Sequence, residues 1–514
     1  MGLKIGKNEM VNKYSYCMNL VKQVEKKYPV IQWTIDGIQV WPILRVNHSY
    51  EGKNESANCK NSKKNVNVIR FIYRKLCSLN NTIKRYRFLR KMEEEDKAHN
   101  DNLDGHRDIV FLSFSVYRKA QIDSLYYLTE VSPFLDKFKG YSYLILESAI
   151  NDVWKYPRYG KSMFINKGKF VFAFLQKIKN KLFVRKNDEA HINCPQIHEV
   201  YKYLEERNVR LLSLKQLLSI VREINVLKLY YLKILKETTP KIVIIEWYYG
   251  LDGFALILAA KQMGIPVADI QHGMQDPNHW AYGDWPANKG GYQLLPDYFF
   301  VWTVKEKNNI QVWNELCGNK HKPIITGYQW LSMWKDKRND FKRQIEQIKM
   351  IGSSECNVNI LFSMSYNFLS EHLIQLIKTS PKNWQWWIRM HPVVIDKWGG
   401  FSEKFKQLFP EDNVIWDEAS ECALPALLSF VDLHITYGST VACICQEWGI
   451  PSIVEDPKIL DGSDLDSDLI SVMPLDDLDI RYIYTILQNP PNTAKRIGEL
   501  EQTELEFIRE KILI

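Results

Sequence analysis

The sequence predicts an α/β fold with two Rossmann-like domains facing a cleft, preceded by an irregular N-terminal extension. Three observations predict it. Short runs rich in Val, Ile, Leu and Phe recur at 109–113, 143–147, 242–245, 267–270 and 359–362, and such apolar runs mark parallel strands covered on both faces. Helical stretches alternate with them, and two end at a glycine, 254–263 before Gly264 and 440–448 before Gly449, where a left-handed residue closes a helix. Finally, 514 residues exceed what one hydrophobic core organises.

The elements follow in order. Residues 1–104 are Asn- and Lys-rich and form the extension, with an apolar-aromatic piece at 31–44 and a polar loop at 47–67. Residues 105–310 form the first domain. Its clearest unit is strand 242–245, loop 246–253, helix 254–263 and strand 267–270, a strand–helix–strand crossover of a doubly wound sheet. A further strand follows at 296–302. The second domain, 311–490, repeats the scheme with strands at 324–327, 359–362, 384–389, 413–415, 433–436 and 452–454 and helices at 335–349, 371–379 and 440–448. Residues 491–514 read as a C-terminal helix.

Composition excludes several classes. With 46% apolar and 25% charged residues the chain is neither disordered nor a multi-span membrane protein. Its longest clean apolar run, 254–260, falls far short of a membrane span. The start has no apolar signal core and no Ser or Thr at position 6, so a cytoplasmic protein is expected. Nine cysteines without a C-x-x-C pair agree with reduced thiols. Net charge is +8, yet segment 60–91 holds 11 basic residues and 155–186 holds 10, neither with an acidic one, so the rest of the chain is acidic. That distribution speaks against nucleic acid as partner. Both segments carry apolar stripes, which suits either packing into the domain or peripheral contact with an anionic membrane face.

Four strand ends carry candidate chemistry, because ligands of open α/β sheets lie beyond the carboxyl ends of strands. Gln271-His272-Gly273 follows strand 267–270, offering a tight turn and an imidazole. His279, Trp280, Tyr282 and Trp285 follow, an aromatic and polar mixture that suits a sugar. Glu246-Trp247-Tyr248-Tyr249 with Asp252 follows strand 242–245, placing two carboxylates where a general base would deprotonate an acceptor hydroxyl; Asp252 equally suits a helix cap. Trp247, Tyr249, His279 and Trp280 are the expected acceptor contacts. Arg389-Met390-His391-Pro392 ends strand 384–389 and reads as a cationic phosphate grip. Gly438-Ser439-Thr440 opens a helix, where free amides favour an anion, with Glu447 two turns on. Walker, zinc-protease and serine-hydrolase signatures are absent from the sequence. The D-x-D spacings at 464–468 and 477–479 lie in an acidic turn-like stretch and read as solvated loop rather than a metal grip.

The order Gln271-His272-Gly273, Gly327, Arg389-Met390-His391-Pro392, then Gly438-Ser439-Thr440 with Glu447 and Pro451 resembles bacterial surface-polysaccharide glycosyltransferases of the GT-B fold. The H-P followed by a Ser-rich helix start is similar to capsule and lipopolysaccharide enzymes that use CMP-activated acids such as sialic acid or Kdo. The resemblance covers roughly residues 240–455. It implies His391, Ser439 and Thr440 on the donor phosphate and Asp252 or Glu246 as base; the residues themselves add His272 as a catalytic imidazole that donates to phosphate or acts as a base, and Arg389, Pro392, Gly438, Glu447, Gln271 and Gly273 around the donor. It implies a metal-independent, inverting transfer from a nucleotide sugar to a glycan or lipid-linked acceptor at the inner membrane face, without a cofactor. The chain has Gly-Ser-Thr where that family has a Ser-Ser pair. UDP-, GDP- or dTDP-sugar transferases, CDP-glycerol-type polyol-phosphate transferases, which share an H-G and an H-P, and a glycan-binding scaffold without turnover are the alternatives.

Overall fold

The computed structural model describes residues 7–50, 83–91, 94, 105–118, 120–149, 155, 157–183, 191–273, 275–335, 339–364, 369–390, 407–409, 413–456, 468–489, 504–511 and 513. Two parallel sheets dominate. The first contains β1 (Ile109–Phe114), β2 (Tyr143–Ser148), β3 (Ser162–Phe164), β4 (Ile242–Ile245), β5 (Val267–Ile270), β6 (Tyr298–Val301) and β7 (Lys322–Ile325). Their spatial order is 7-6-5-4-1-2-3, so the strand order reverses between β1 and β4, which pair in parallel through Ile109–Leu112. The second sheet contains β8 (Val358–Ser363), β9 (Trp384–Arg389), β10 (Val414–Ile415), β11 (Leu433–Thr436), β12 (Ser452–Val454) and β13 (Ile470–Val472). In space they run 10-9-8-11-12-13, reversing between β8 and β11. Both orders are Rossmann-like, and the crevice at each reversal is where such sheets take ligands.

Strand alternation divides the core. Val110, Leu112, Leu144, Leu146, Val243 and Ile245 pack on one face of the first sheet, while Ile109, Phe111, Ile145, Ile242 and Ile244 pack on the other. In the second sheet Trp384, Trp386 and Ile388 share a face and Trp387 takes the opposite one with Leu361 and Ile415. Period-two burial on both faces is what an all-apolar strand dictates, and each fully buried large side chain contributes about 1.5–3 kcal/mol.

The structure shows where the expected segments pack. Strand 324–327 was expected to open the second domain at 311, but β7 pairs with β6 from Tyr298↔Lys322 to Val301↔Ile325. The first sheet therefore ends at Ile325. A crossover strand looks alike whichever sheet receives it, so alternation does not reveal its partner. The N-terminal part is not a loose extension: Thr34–Ile35 pairs with Ile192–Asn193, His48–Tyr50 pairs with Val209–Leu211, and Trp33, Trp41, Ile43 and Leu44 are buried in the first-domain core. Last, the C-terminal helix Leu505–Lys511 returns to the first domain, where Ile508 and Leu513 are buried, the Glu504 amide donates to the Ile325 carbonyl and Arg509 donates to the Lys137 carbonyl at 2.7 Å.

A hairpin missed in the sequence links the two halves. Ala120–Ile122 and Leu125–Tyr127 pair antiparallel, and Ala120, Ile122 and Tyr127 pack with Trp330, Trp334 and Phe341. Arg343 meets Asp123 at 2.6 Å. At its root, fully buried Arg118 and Arg158 converge on Glu147 of β2, at 2.7 and 3.6 Å. Burial pulls Arg158 down to about 9. Among the described residues no helix is long and apolar enough to cross a membrane.

Candidate functional site

Glu246 stands directly after β4, at the reversal point of the first sheet. Its backbone amide continues the ladder to Leu112, and its fully buried carboxylate accepts from the Ser113 hydroxyl and, at 3.3 Å, from the Phe114 amide, both on β1. The loop that follows is tight because Gly253 approaches its own upstream backbone. A Cβ there would lie 2.2 Å from the Tyr248 carbonyl oxygen, so only glycine fits.

Tyr249 reaches the neighbouring strand end, where its hydroxyl lies 3.2 Å from His272 Nε2. His272 Nδ1 faces the Ile270 carbonyl at 3.5 Å. A carbonyl only accepts, so in the tautomer that bonds it the proton sits on Nδ1 and the Nε2 lone pair faces Tyr249. Tyr117, just beyond β1, sets its ring 5.8 Å from the His272 ring, and burial together with Glu246 pushes its phenol well above the usual range. His272 itself is half-buried. Asp269, fully buried within β5, accepts from the Tyr282 hydroxyl at 3.0 Å and the Tyr248 amide at 3.2 Å; burial raises its carboxyl far above the ordinary range despite these bonds.

The segment 276–285 forms a rim over this group. His279 lies 4.8 Å from the Tyr282 ring and 6.0 Å from Tyr249. Its Nδ1 accepts from the Ala281 amide at 3.1 Å, and burial, with His272 and Arg45 nearby, lowers it to about 3, so it stays neutral. The rim is fastened from below by the N-terminal part. Arg45, fully buried, donates to the carbonyls of Trp280 at 2.5 Å and Gly283 at 2.8 Å. It also pairs with Glu25 at 2.8 Å and stacks on Trp285 at 4.2 Å. Tyr248 adds a bond from its hydroxyl to the Ala281 carbonyl.

Asp252 has a different surrounding. Oδ1 accepts from the Tyr231 hydroxyl at 2.6 Å, and Oδ2 accepts from Lys169 at 2.6 Å and Ser148 at 3.2 Å. Both oxygens are engaged in the first turn of helix Leu251–Gln262. The carboxylate thus ties the helix to Tyr231, Lys169 and Ser148, and it is not the expected helix cap, since the N-cap is Gly250 and no side chain caps it. Gln271 is likewise engaged: fully buried, it accepts from the Trp302 amide at 2.7 Å and donates to the Gly273 carbonyl at 2.9 Å, shaping the turn that presents His272.

In the second domain Gly438, Ser439 and Thr440 follow β11, at that sheet's own reversal point. The Gly438 amide donates to Thr436 Oγ1 at 3.2 Å, and Ser439 Oγ accepts from the Val441 amide at 3.3 Å. Thr440 is exposed at the start of helix Val441–Glu447, and Glu447 ends it. Arg389 closes β9, but its Nη1 donates to the carbonyls of Ala419 at 2.5 Å and Cys422 at 2.9 Å. Carbonyls at a helix C-terminus need outside donors, so this nitrogen anchors helix Asp417–Glu421 rather than standing ready for phosphate. His391 and Pro392 lie outside the described residues. Of the acidic repeats, Asp479 caps helix Ile480–Gln488 by accepting from the Tyr482 amide at 2.8 Å. Among the described residues no three His, Cys, Asp or Glu side chains gather as for a metal ion.

The structure thus brings Glu246, Trp247, Tyr249, His272, His279 and Trp280 together in the first domain and sets the Gly438–Thr440 turn apart in the second. Sequence reasoning missed Ser113, Tyr117, Asp269 and Arg45. Asp269 carried a signal, an acid inside an apolar strand; Arg45 carried none.

No protein-family model matches the sequence, and no curated protein matches it. Solved structures show a loose likeness of overall shape. The UDP-GlcNAc 2-epimerase from Neisseria meningitidis bound to UDP-GlcNAc is 16% identical over 76% of this chain and 94% of its own, with a TM-score of 0.44. A variant of the wall teichoic acid polymerase TagF soaked with CDPG is 12% identical over 86% and 93%, with a TM-score of 0.40. The S. aureus MnaA–UDP co-structure is 10% identical over 77% and 91%, with a TM-score of 0.41.

Proposed function

We propose that this chain transfers a sugar from a nucleotide donor to a glycan acceptor, with the acceptor on the first domain and the donor on the second. One observation carries the reading: each sheet is chemically loaded at the carboxyl edge where its strand order reverses, with Glu246 after β4 beside the His272 turn and Gly438-Ser439-Thr440 after β11. Proton transfer falls to His272 rather than Asp252, whose carboxylate is engaged by Lys169 and Tyr231. An acceptor hydroxyl that displaces the Tyr249 hydroxyl meets Nε2 of His272, and an imidazole is a general base suited to neutral pH. Glu246, buried at the neighbouring strand end, is the carboxylate this reading assigns to stabilising the imidazolium as it forms. Trp247, Tyr249 and Trp280 supply faces on which a pyranose stacks, while the Ser439 and Thr440 amides and hydroxyls, rather than the Gly438 amide that Thr436 engages, are assigned to the departing phosphate without a metal. A CMP-linked ulosonic acid is the donor this reading favours first.

A second reading, transfer of a polyol phosphate from a CDP-linked donor, is supported by the His272-Gly273 turn after β5, which Gln271 shapes through the Gly273 carbonyl. Product mass separates the two.

The test is a melting-shift panel with CMP, CDP, UDP, GDP and dTDP, followed by turnover of His272→Asn with the protecting donor. Expected are protection by a cytidine nucleotide and a loss of at least about 100-fold in turnover with the melting shift retained. Wild-type turnover in His272→Asn sinks the assignment.

A further inference from the structure

The described parts of the two basic segments, far apart in sequence, meet at one seam. Helical residues 83–91 dock through a single buried side chain, Leu89, onto Ala149 and Phe164, and Phe170 of helix Asn166–Phe183 packs on the same cluster. Around that seam Ile83, Tyr86 and Phe88 stand exposed on one helix, and Phe174, Leu175 and Ile178 on the other, Leu175 being 56% exposed. Lys84, Arg85, Arg87 and Lys91 are exposed among them. Just beyond this helix the sequence turns acidic, Glu93-Glu94-Glu95-Asp96, and Glu94 pairs with Arg90 at 2.7 Å. Not every cation faces outward: Arg158 is buried in the Glu147 cluster and Lys169 is held by Asp252.

Six large apolar side chains left in water beside a field of cations need a partner that is apolar within and anionic at its edge. A bilayer carrying anionic headgroups meets both demands, because rings and aliphatic tips enter the headgroup–acyl boundary while the cations stay at the phosphates. We infer that this paired-helix face docks the protein on an anionic membrane surface. Lys169 ties the docking helix to the start of helix Leu251–Gln262, which follows the Glu246 loop, and a lipid-linked acceptor would be presented at such a surface. The inference rests on the transferase reading for that purpose only; the binding assay does not depend on it.

The experiment is co-sedimentation of the full chain with phosphatidylcholine vesicles, with and without about 30% phosphatidylglycerol, at about 0.1 and 0.5 M salt. Two triple variants accompany it, Phe174→Ser with Leu175→Ser and Ile178→Ser, and Lys84→Glu with Arg85→Glu and Arg87→Glu. Expected are binding to anionic vesicles only, relief by salt, and at least about tenfold weaker binding in each variant, with melting temperature and nucleotide protection unchanged. Equal binding to both vesicle types, no binding, or unaltered binding in both variants overturns the proposal. So does concentration-dependent self-association that the same substitutions abolish, which would make the face a contact between copies.

Discussion

Arg45 offers the sharpest test of how the N-terminal part supports the site. Its guanidinium is fully buried and its partner Glu25 is only 5% exposed. In Arg45→Met the thioether side chain keeps contact with Trp285, but the carbonyls of Trp280, Gly283 and Asp284 lose their donor and Glu25 loses its cation. Removing one partner of a buried pair costs about 3–5 kcal/mol, and each orphaned buried acceptor adds about 1–3 kcal/mol where water does not reach it. We expect a loss of at least about 4 kcal/mol at pH 8, read from urea unfolding followed by tryptophan fluorescence. The deficit has a pH signature. Burial already lifts the Glu25 carboxyl above its usual range, and without Arg45 it lifts further, so the folded variant holds a proton that the unfolded chain releases. Stability of the variant therefore falls as pH rises, and the gap to wild type narrows at pH 5.5. Adding Glu25→Gln removes the stranded charge and restores about 2 kcal/mol or more at pH 8. An Arg45→Met midpoint within about 1 kcal/mol of wild type, or a double variant as unstable as the sum of the singles, would refute the reasoning.

The other predictions concern buried charge elsewhere. Glu147→Gln leaves the Arg118 and Arg158 guanidinium groups facing each other without their carboxylate; a loss of about 3–5 kcal/mol and faster proteolysis within the 120–127 hairpin are expected. His279, His321 and His434 are each held neutral by burial, at about 3, so the unfolded chain binds their protons first. Stability is full above about pH 6.5 and declines below it by up to about 1.4 kcal/mol per pH unit per histidine, visible as a falling melting temperature toward pH 5. Asp252→Asn and Lys169→Met each destabilise by about 1–3 kcal/mol while turnover stays within about tenfold; a loss of about 100-fold without destabilisation would restore Asp252 as the base.

Much of the sheet framework was legible because a strand buried on both faces has nowhere to place polar residues. The runs at 109–113, 242–245 and 267–270 announced β1, β4 and β5 within a residue. The elements that escaped are those whose stability is not local. The 120–127 hairpin, β3 and the short N-terminal strands are too brief to carry a period, and they exist because a distant segment completes them. The first basic stripe is legible only in part, since its positions 69–79 lie outside the described residues, while Ile83 and Tyr86 are exposed and Leu89 is the buried contact. At the site, the loaded strand ends were readable, but their chemistry was not. Nothing in the string separates Asp252, held by Lys169 from 83 residues upstream, from Glu246, held by Ser113 from 133 residues upstream.

By itself, then, the amino-acid order determined which stretches become parallel strands, which turns carry histidine, acid or hydroxyl, and where positive charge concentrates, since each is a local matter of periodicity and composition. Only the folded chain decided that β7 joins the first sheet, that Arg45 holds the rim from beneath, and that Asp252 and the Nη1 of Arg389 are held by partners from elsewhere in the chain. The reason is physical: a charged group's availability depends on what else has been brought within about 3–4 Å of it, and those neighbours come from parts of the chain that sequence separation does not reveal.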